Sequence, residues 1–183
     1  WDLSRDEIMW SPPQEQLFGL TPGSFDGRPE TFFALVHPAD QECIRQALIL
    51  ALQPQQTFSV DFRIQLQNRA QRWLSHRGQV LRDAAGQAIR IAGVAFDITH
   101  QKEAEAKLLL QVKRDHLVAR ISQDISRSHN LQEVLPHVVQ DVRTFLGVDR
   151  LVIVDLREKM AGEITYEAHH PQVNSMLEWK LRH

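Results

Sequence analysis

Phe58-Ser59-Val60-Asp61-Phe62-Arg63-Ile64-Gln65-Leu66 alternates apolar and polar residues without a break. Successive side chains of a strand point to opposite faces, so this period of two predicts a strand with one face in a core. Toward the C-terminus, Asn68 to Gln71 predicts a turn, Trp73 to Arg82 a second strand, Asp83 to Gly86 another turn, and Ile89 to Ile98 a third strand rich in β-branched residues. Three consecutive antiparallel strands follow from that order. Toward the N-terminus, Cys43, Ile44, Ala47, Leu48 and Ala51 recur at helical spacing until Pro54, and Asp40 is placed to cap that helix. Phe32, Phe33, Leu35 and Val36 form one apolar helical turn, and Gln14 to Phe18 a short helix ended by Gly19. Trp1 to Ser11 reads as a strand stopped by Pro12-Pro13.

From Thr99 the pattern turns helical, and Gln101 to Gln111 is built of strong helix formers without Gly or Pro. Leu109, Val112, His116 and Ala119 mark one seam, and Leu117, Ile121 and Ile125 a second. A dimerising coiled coil and a connector lying on its own domain both fit so short a seam. Asn130 with Glu133 is a capping pair for a further helix through Leu146, where Pro136 predicts a kink or a later start and Gly147 the end. Leu151 to Val154 and Glu163 to Ala168 read as strands, after which Met176, Leu177, Trp179 and Leu181 have no following element to cover them.

Apolar residues make up 43% of the 183 and charged residues 24%, as in ordinary globular proteins. The net charge of -2 with scattered Lys and Arg provides no footprint for nucleic acid. The longest apolar run, Ala47 to Leu52, is far short of a membrane span, and no secretory leader opens the chain, so a cytoplasmic location is expected. A first residue of Trp in place of Met implies that an upstream piece has been removed. Cys43 alone allows no internal disulfide, Cys-rich zinc site or paired redox motif.

Trp1-Asp2-Leu3, Trp10-Ser11-Pro12, Leu17-Phe18-Gly19, His37-Pro38-Ala39-Asp40, Phe58 to Ile64, Arg72-Trp73-Leu74 and Gly93 to Thr99 occur in the order and spacing of the PAS domain with its PAC segment. The resemblance covers residues 1–101 and implies an α+β fold, a five-stranded antiparallel sheet cupping short helices. Residues 102–116 then read as a helical linker. Residues 117–183 resemble the N-terminal part of a GAF domain, also α+β and here truncated, with Asp149-Arg150-Leu151-Val152-Ile153 leading into its first strand and Gly162-Glu163 turning into its second. Together these resemblances imply a regulatory fragment of a bacterial sensor histidine kinase or diguanylate cyclase, with no catalytic residue of its own.

In such sensors Asp97-Ile98-Thr99 corresponds to the junction where strain in the core reaches the output helix; a side chain there that caps the helix fits as well. Ala92, Val94 and Phe96, outward on an apolar strand, are candidates for a surface that meets a second copy, so a homodimer through the PAS domain and linker helix is expected. The downstream output domain is the other expected partner. Cys43 lies outside any Asn-Cys-Arg-Phe motif, and Ala95 stands where flavin-binding relatives carry Gln, so Cys43 reads as a small buried hydrophobe. His37 reads as a capping or packing residue of the His-Pro-x-Asp turn, and the adjacent His169 and His170 point apart on a strand, so no metal ligand set is expected. Haem is disfavoured because the helix bearing Cys43 contains no His. The PAS ligand is unknown. A bilin in the parent GAF domain stays open, because no Cys follows Cys43 and the attachment region lies beyond this sequence. Trp1, Trp10 and Trp73 could line a ligand cleft or be plain core.

Overall fold

The computed structural model describes all residues except 54–56, 67–68, 129, 157–161, 178–179 and 182–183. The expected roles of Pro54, Asn68 and Trp179 lie outside the described residues. The chain divides into two compact units, Trp1–Glu105 and Ala106–His183.

The first unit is built on the three strands expected from the alternation. They are β1 (Thr57–Gln65), β2 (Gln71–Arg82) and β3 (Ala88–Asp97), antiparallel in the order β1-β2-β3. Opposite Phe58, Val60, Phe62 and Ile64 of β1 stand Gly78, His76, Leu74 and Arg72 of β2. Opposite Gly78, His76 and Leu74 stand Gly93, Ala95 and Asp97 of β3. Because cross-strand partners share a face, these rows form the inner side of the sheet. Against them pack the short helices α1 (Pro12–Leu17) and α2 (Pro29–Leu35) and the longer α3 (Gln41–Ala51). Phe62, Ile64 and Leu74 are fully buried there, each contributing roughly 1.5–3 kcal/mol by removal from water.

The sheet has three regular strands among the described residues and not five. Trp1 to Ser11 forms no strand. The Asp2 carboxylate accepts from the backbone N–H groups of Ser4 and Arg5 and from the Ser4 hydroxyl (3.1, 3.2 and 2.7 Å). The chain therefore curls after Leu3. What remains is a short pairing with the free edge of β3, in which the Ile91 N–H donates to the Trp1 carbonyl and the Leu3 N–H to that of Ile89. Pro12 and Pro13 do not stop a strand but open α1, where a missing N–H costs nothing. Asp40 makes no cap to α3. It accepts instead from the Arg63 backbone N–H, Nε and Nη2 at 2.8, 2.8 and 2.6 Å, which ties the 3₁₀ turn Pro38–Asp40 to β1. Cys43 is exposed, against the buried role expected of it, because α3 turns Ile44 and Ala51 inward.

α4 runs unbroken over Thr99–Arg127 and buries none of its described side chains. In the second unit α5 (Leu131–Leu146) packs Val134 and Val139 against the antiparallel sheet β4 (Arg150–Leu156), β5 (Gly162–His169), β6 (Lys180–Leu181), where Ile164 and Ala168 are buried. Asn130 caps α5 by accepting from the Gln132 N–H, and Gly147 ends it in the left-handed region at φ 64°. Pro136 neither delays nor divides α5, which starts at Leu131 and carries it inside. The tail after Leu177 is not without a partner either, since Lys180–Leu181 pairs with Gly162–Glu163.

Candidate functional site

A cavity of about 380 Å³ opens in the first unit between the inner face of the sheet, α1, α2 and α3. Its existence follows from two glycines. Gly78 and Gly93 face each other across β2 and β3, and a Cβ on either would lie 2.4 Å from a backbone oxygen, that of Ala92 or of Arg77. With hydrogens in both places the row beginning at Phe58 carries no further side chain, and space remains above it. Trp10, Phe32, Ile44, Leu48, Phe58 and Ile91 provide apolar walls. Trp10 is fixed by stacking on Phe25 and Phe18, with ring centroids 3.7 and 4.2 Å away.

Ser11, Arg77 and Arg90 are among its polar lining residues, and so are Gln14 from α1 and His76 from β2. The latter two meet at 3.3 Å through Gln14 Nε2 and His76 Nε2. An amide nitrogen can only donate, so His76 Nε2 is the acceptor and the ring proton sits on Nδ1. The imidazole lies among Phe62, Phe18 and Phe32, with centroids 4.8, 5.9 and 6.2 Å away. Burial there lowers its pKa to about 4, so His76 is neutral at physiological pH. The loop behind α1 is held by Glu15, a buried carboxylate that accepts from the Gly23 and Phe25 N–H groups at 2.6 and 2.8 Å. Those bonds hold its pKa below the usual range.

The Asp97-Ile98-Thr99 junction is tied to β2 at three points. The Ile98 N–H donates to the Trp73 carbonyl and the Trp73 N–H to Thr99 Oγ1, both at 2.9 Å. Arg72 Nε pairs with Asp97 Oδ2 at 3.2 Å. The other Asp97 oxygen accepts the Thr99 N–H at 2.9 Å, so this carboxylate caps the start of α4. Arg72 also reaches the end of α1, where Nη1 donates to the carbonyls of Leu17 and Gln16. One guanidinium thus bonds the element that carries Gln14 and the residue whose carboxylate caps α4. On the outer face, Lys102 pairs with Asp61 at 3.2 Å and lies over Trp73.

Ala92, Val94 and Phe96 stand together on the outer face of β3, with Val94 58% and Phe96 51% exposed. Trp1 and Trp10 line the cavity while Trp73 does not. His37 accepts the Ala39 N–H through Nδ1. No cluster of three or more His, Cys, Asp or Glu able to hold a metal ion occurs among the described residues, and none of their helices is long and apolar enough to cross a membrane. Gln14, His76 and Arg72 were not singled out as site residues by the sequence reading. The signal for His76 was the alternation itself, which puts it on the same face as Leu74.

Residues 7–95 match the PAS fold family. Over 122 residues the chain is 29% identical to the sensor protein FixL of Bradyrhizobium diazoefficiens, a match covering 64% of this chain and 23% of FixL. The chain therefore spans about a quarter of the length of that curated relative. Among solved structures, a sensory box histidine kinase/response regulator from Burkholderia thailandensis aligns with a TM-score of 0.54 at 26% identity, over 65% of this chain and 87% of that one. The N-terminal domain of a diguanylate cyclase with PAS/PAC sensor from Marinobacter aquaeolei shares the fold with a TM-score of 0.50 at 22% identity, over 55% of this chain and 93% of that one. By these matches, with the inner-face cavity and the three-stranded sheet, the first unit of this chain is similar to PAS domains and has a PAS-like fold.

Proposed function

We propose that this chain is a sensory relay module of a signalling protein, in which a small ligand in the PAS cavity biases the β3–α4 junction and α4 carries the change onward. The observation that supports this reading most is the double engagement of Arg72, with the Leu17 carbonyl on one side and Asp97 on the other. A ligand that displaces α1 through Gln14 would act on Arg72, and Arg72 on the cap of α4. The receiving unit is the front part of a GAF domain, and the output a histidine kinase or diguanylate cyclase. A relay requires only that the ligand bind one arrangement of the junction better than another.

The experiment uses the signalling protein that carries this chain. Ile44→Trp, which fills the cavity permanently, is expected to shift output, and Arg72→Met to abolish that shift. Output that stays at the wild-type level in Ile44→Trp, Asp97→Ala and Thr99→Ala alike would remove the relay.

A second reading rests on the exposure of Val94 and Phe96, in which the PAS sheet serves as a ligand-free dimerisation surface. The two readings differ in whether filling the cavity matters.

A further inference from the structure

We propose that the PAS cavity selects a neutral, ring-bearing organic molecule with one hydroxyl-type group, bonded by Gln14 and His76. This inference rests on the sensory reading above and names the class of its ligand.

Charge is the first argument. The inner rows of the sheet and the facing helices supply the cavity with Phe32, Ile44, Leu48, Phe58 and Ile91, and no ionised side chain. Arg77 and Arg90 border it, but both belong to the outer rows of the sheet, where Arg77 stands between Ser59 and Val94 and Arg90 opposite Leu81. Arg90 is moreover engaged by Asp2 at 3.1 Å. A carboxylate or phosphate seated against Gln14 and His76 would leave water beside two uncharged side chains, an unfavourable transfer that Arg77 or Arg90 offsets only by reaching into the inner rows.

Hydrogen-bonding capacity is the second. The Gln14 amide nitrogen is committed to His76 Nε2, which leaves Gln14 Oε1 as an acceptor and His76 Nδ1–H as a donor without a hydrogen-bond partner among the described residues. A hydroxyl both donates and accepts, so it satisfies this pair, whereas a carboxylate can only accept. Shape is the third. Aromatic walls and a volume of about 380 Å³ suit one or two fused rings, near the lower end of the roughly 300–1,000 Å³ range of small-molecule sites.

The test titrates the 183-residue chain calorimetrically with 2-naphthol and with 2-naphthoate, which share a ring system and differ in charge. Saturable binding of 2-naphthol is expected, with 2-naphthoate weaker by about tenfold or more. Gln14→Leu should weaken 2-naphthol by about five- to tenfold through the lost acceptor. Ile44→Trp should abolish its binding, with Leu48→Phe as the substitute filler if the larger change unfolds the unit. Equal or tighter binding of 2-naphthoate would overturn the neutral class and leave the sensory reading standing. Binding that survives both fillers would place the ligand outside the cavity and overturn the inference. Failure of both compounds to bind would overturn it too, and would count against ligand sensing in the cavity altogether.

Discussion

Gly78 and Gly93 make the clearest case at the scale of single residues, because their partners are backbone atoms that cannot swing aside. Gly93→Ala would set a methyl group 2.4 Å from the Arg77 oxygen. It is expected to destabilise the first unit by about 1–3 kcal/mol, read as a lower urea midpoint at unchanged slope. His76 gives a pH signature whose sign is fixed by its neutral burial. Its folded pKa of about 4 lies below the ordinary 6.5, so the unfolded chain binds the proton more readily. The stability due to neutral His76 is complete above pH 6.5 and is lost as pH falls toward about 4. The loss over that window is up to about 3 kcal/mol. Urea titrations at successive pH values should show this slope in the wild type and a flatter one in His76→Gln. The lower limit matters for the comparison, because Arg63 holds the Asp40 carboxyl below its ordinary range and that contribution disappears only at still lower pH.

Elements differ in how they are held. The N-terminus of α5 rests on Asn130, whose side chain accepts from Gln132, so Asn130→Ala should cost about 1 kcal/mol of stability in the second unit. Pro136 has the opposite sign. It sits inside α5, where its nitrogen cannot donate to the Gln132 carbonyl, and Pro136→Ala is expected to raise the thermal midpoint of that unit. Calorimetry of the two variants separates the effects. α4 stands apart in this respect, since Leu108, Leu109 and Val112 are more than half exposed while Leu117 and Ile121 are half-buried. Its first seam is thus open to a partner and its second is partly used.

Across the whole molecule the open question is association, because the exposed apolar residues on β3 and on α4 call for a common cause. Sedimentation equilibrium is expected to give a dimer. Val94→Asp together with Phe96→Asp should shift it toward monomer without loss of folding, as neither side chain is buried. A wild-type chain that stays monomeric at high concentration would remove the sheet surface from the account. The Arg72 connection belongs to this scale as well, since its effect appears only when cavity, junction and α4 are read together.

Phe58 to Leu66 announced its own state because a period of two leaves no other way to bury one row of side chains. The turns at Asp83 to Gly86 and Gly147, and the Asn130 cap, were equally local and equally legible. The Asp97 cap was legible for the same reason, since its partner is two residues away. Long-range partners decided what sequence reading missed. Asp40 looked like a cap and became the anchor of Arg63, 23 residues on, because Arg63 provides three donors, its backbone N–H and two guanidinium nitrogens, where a single capping bond provides one. Trp1 to Ser11 had strand composition, but the Asp2 carboxylate could satisfy local N–H groups at once and the ladder ended there. The cavity was the least visible feature of all. Whether a glycine pair and a histidine enclose space depends on which strands bring them opposite one another, and that register exists only once the sheet has formed.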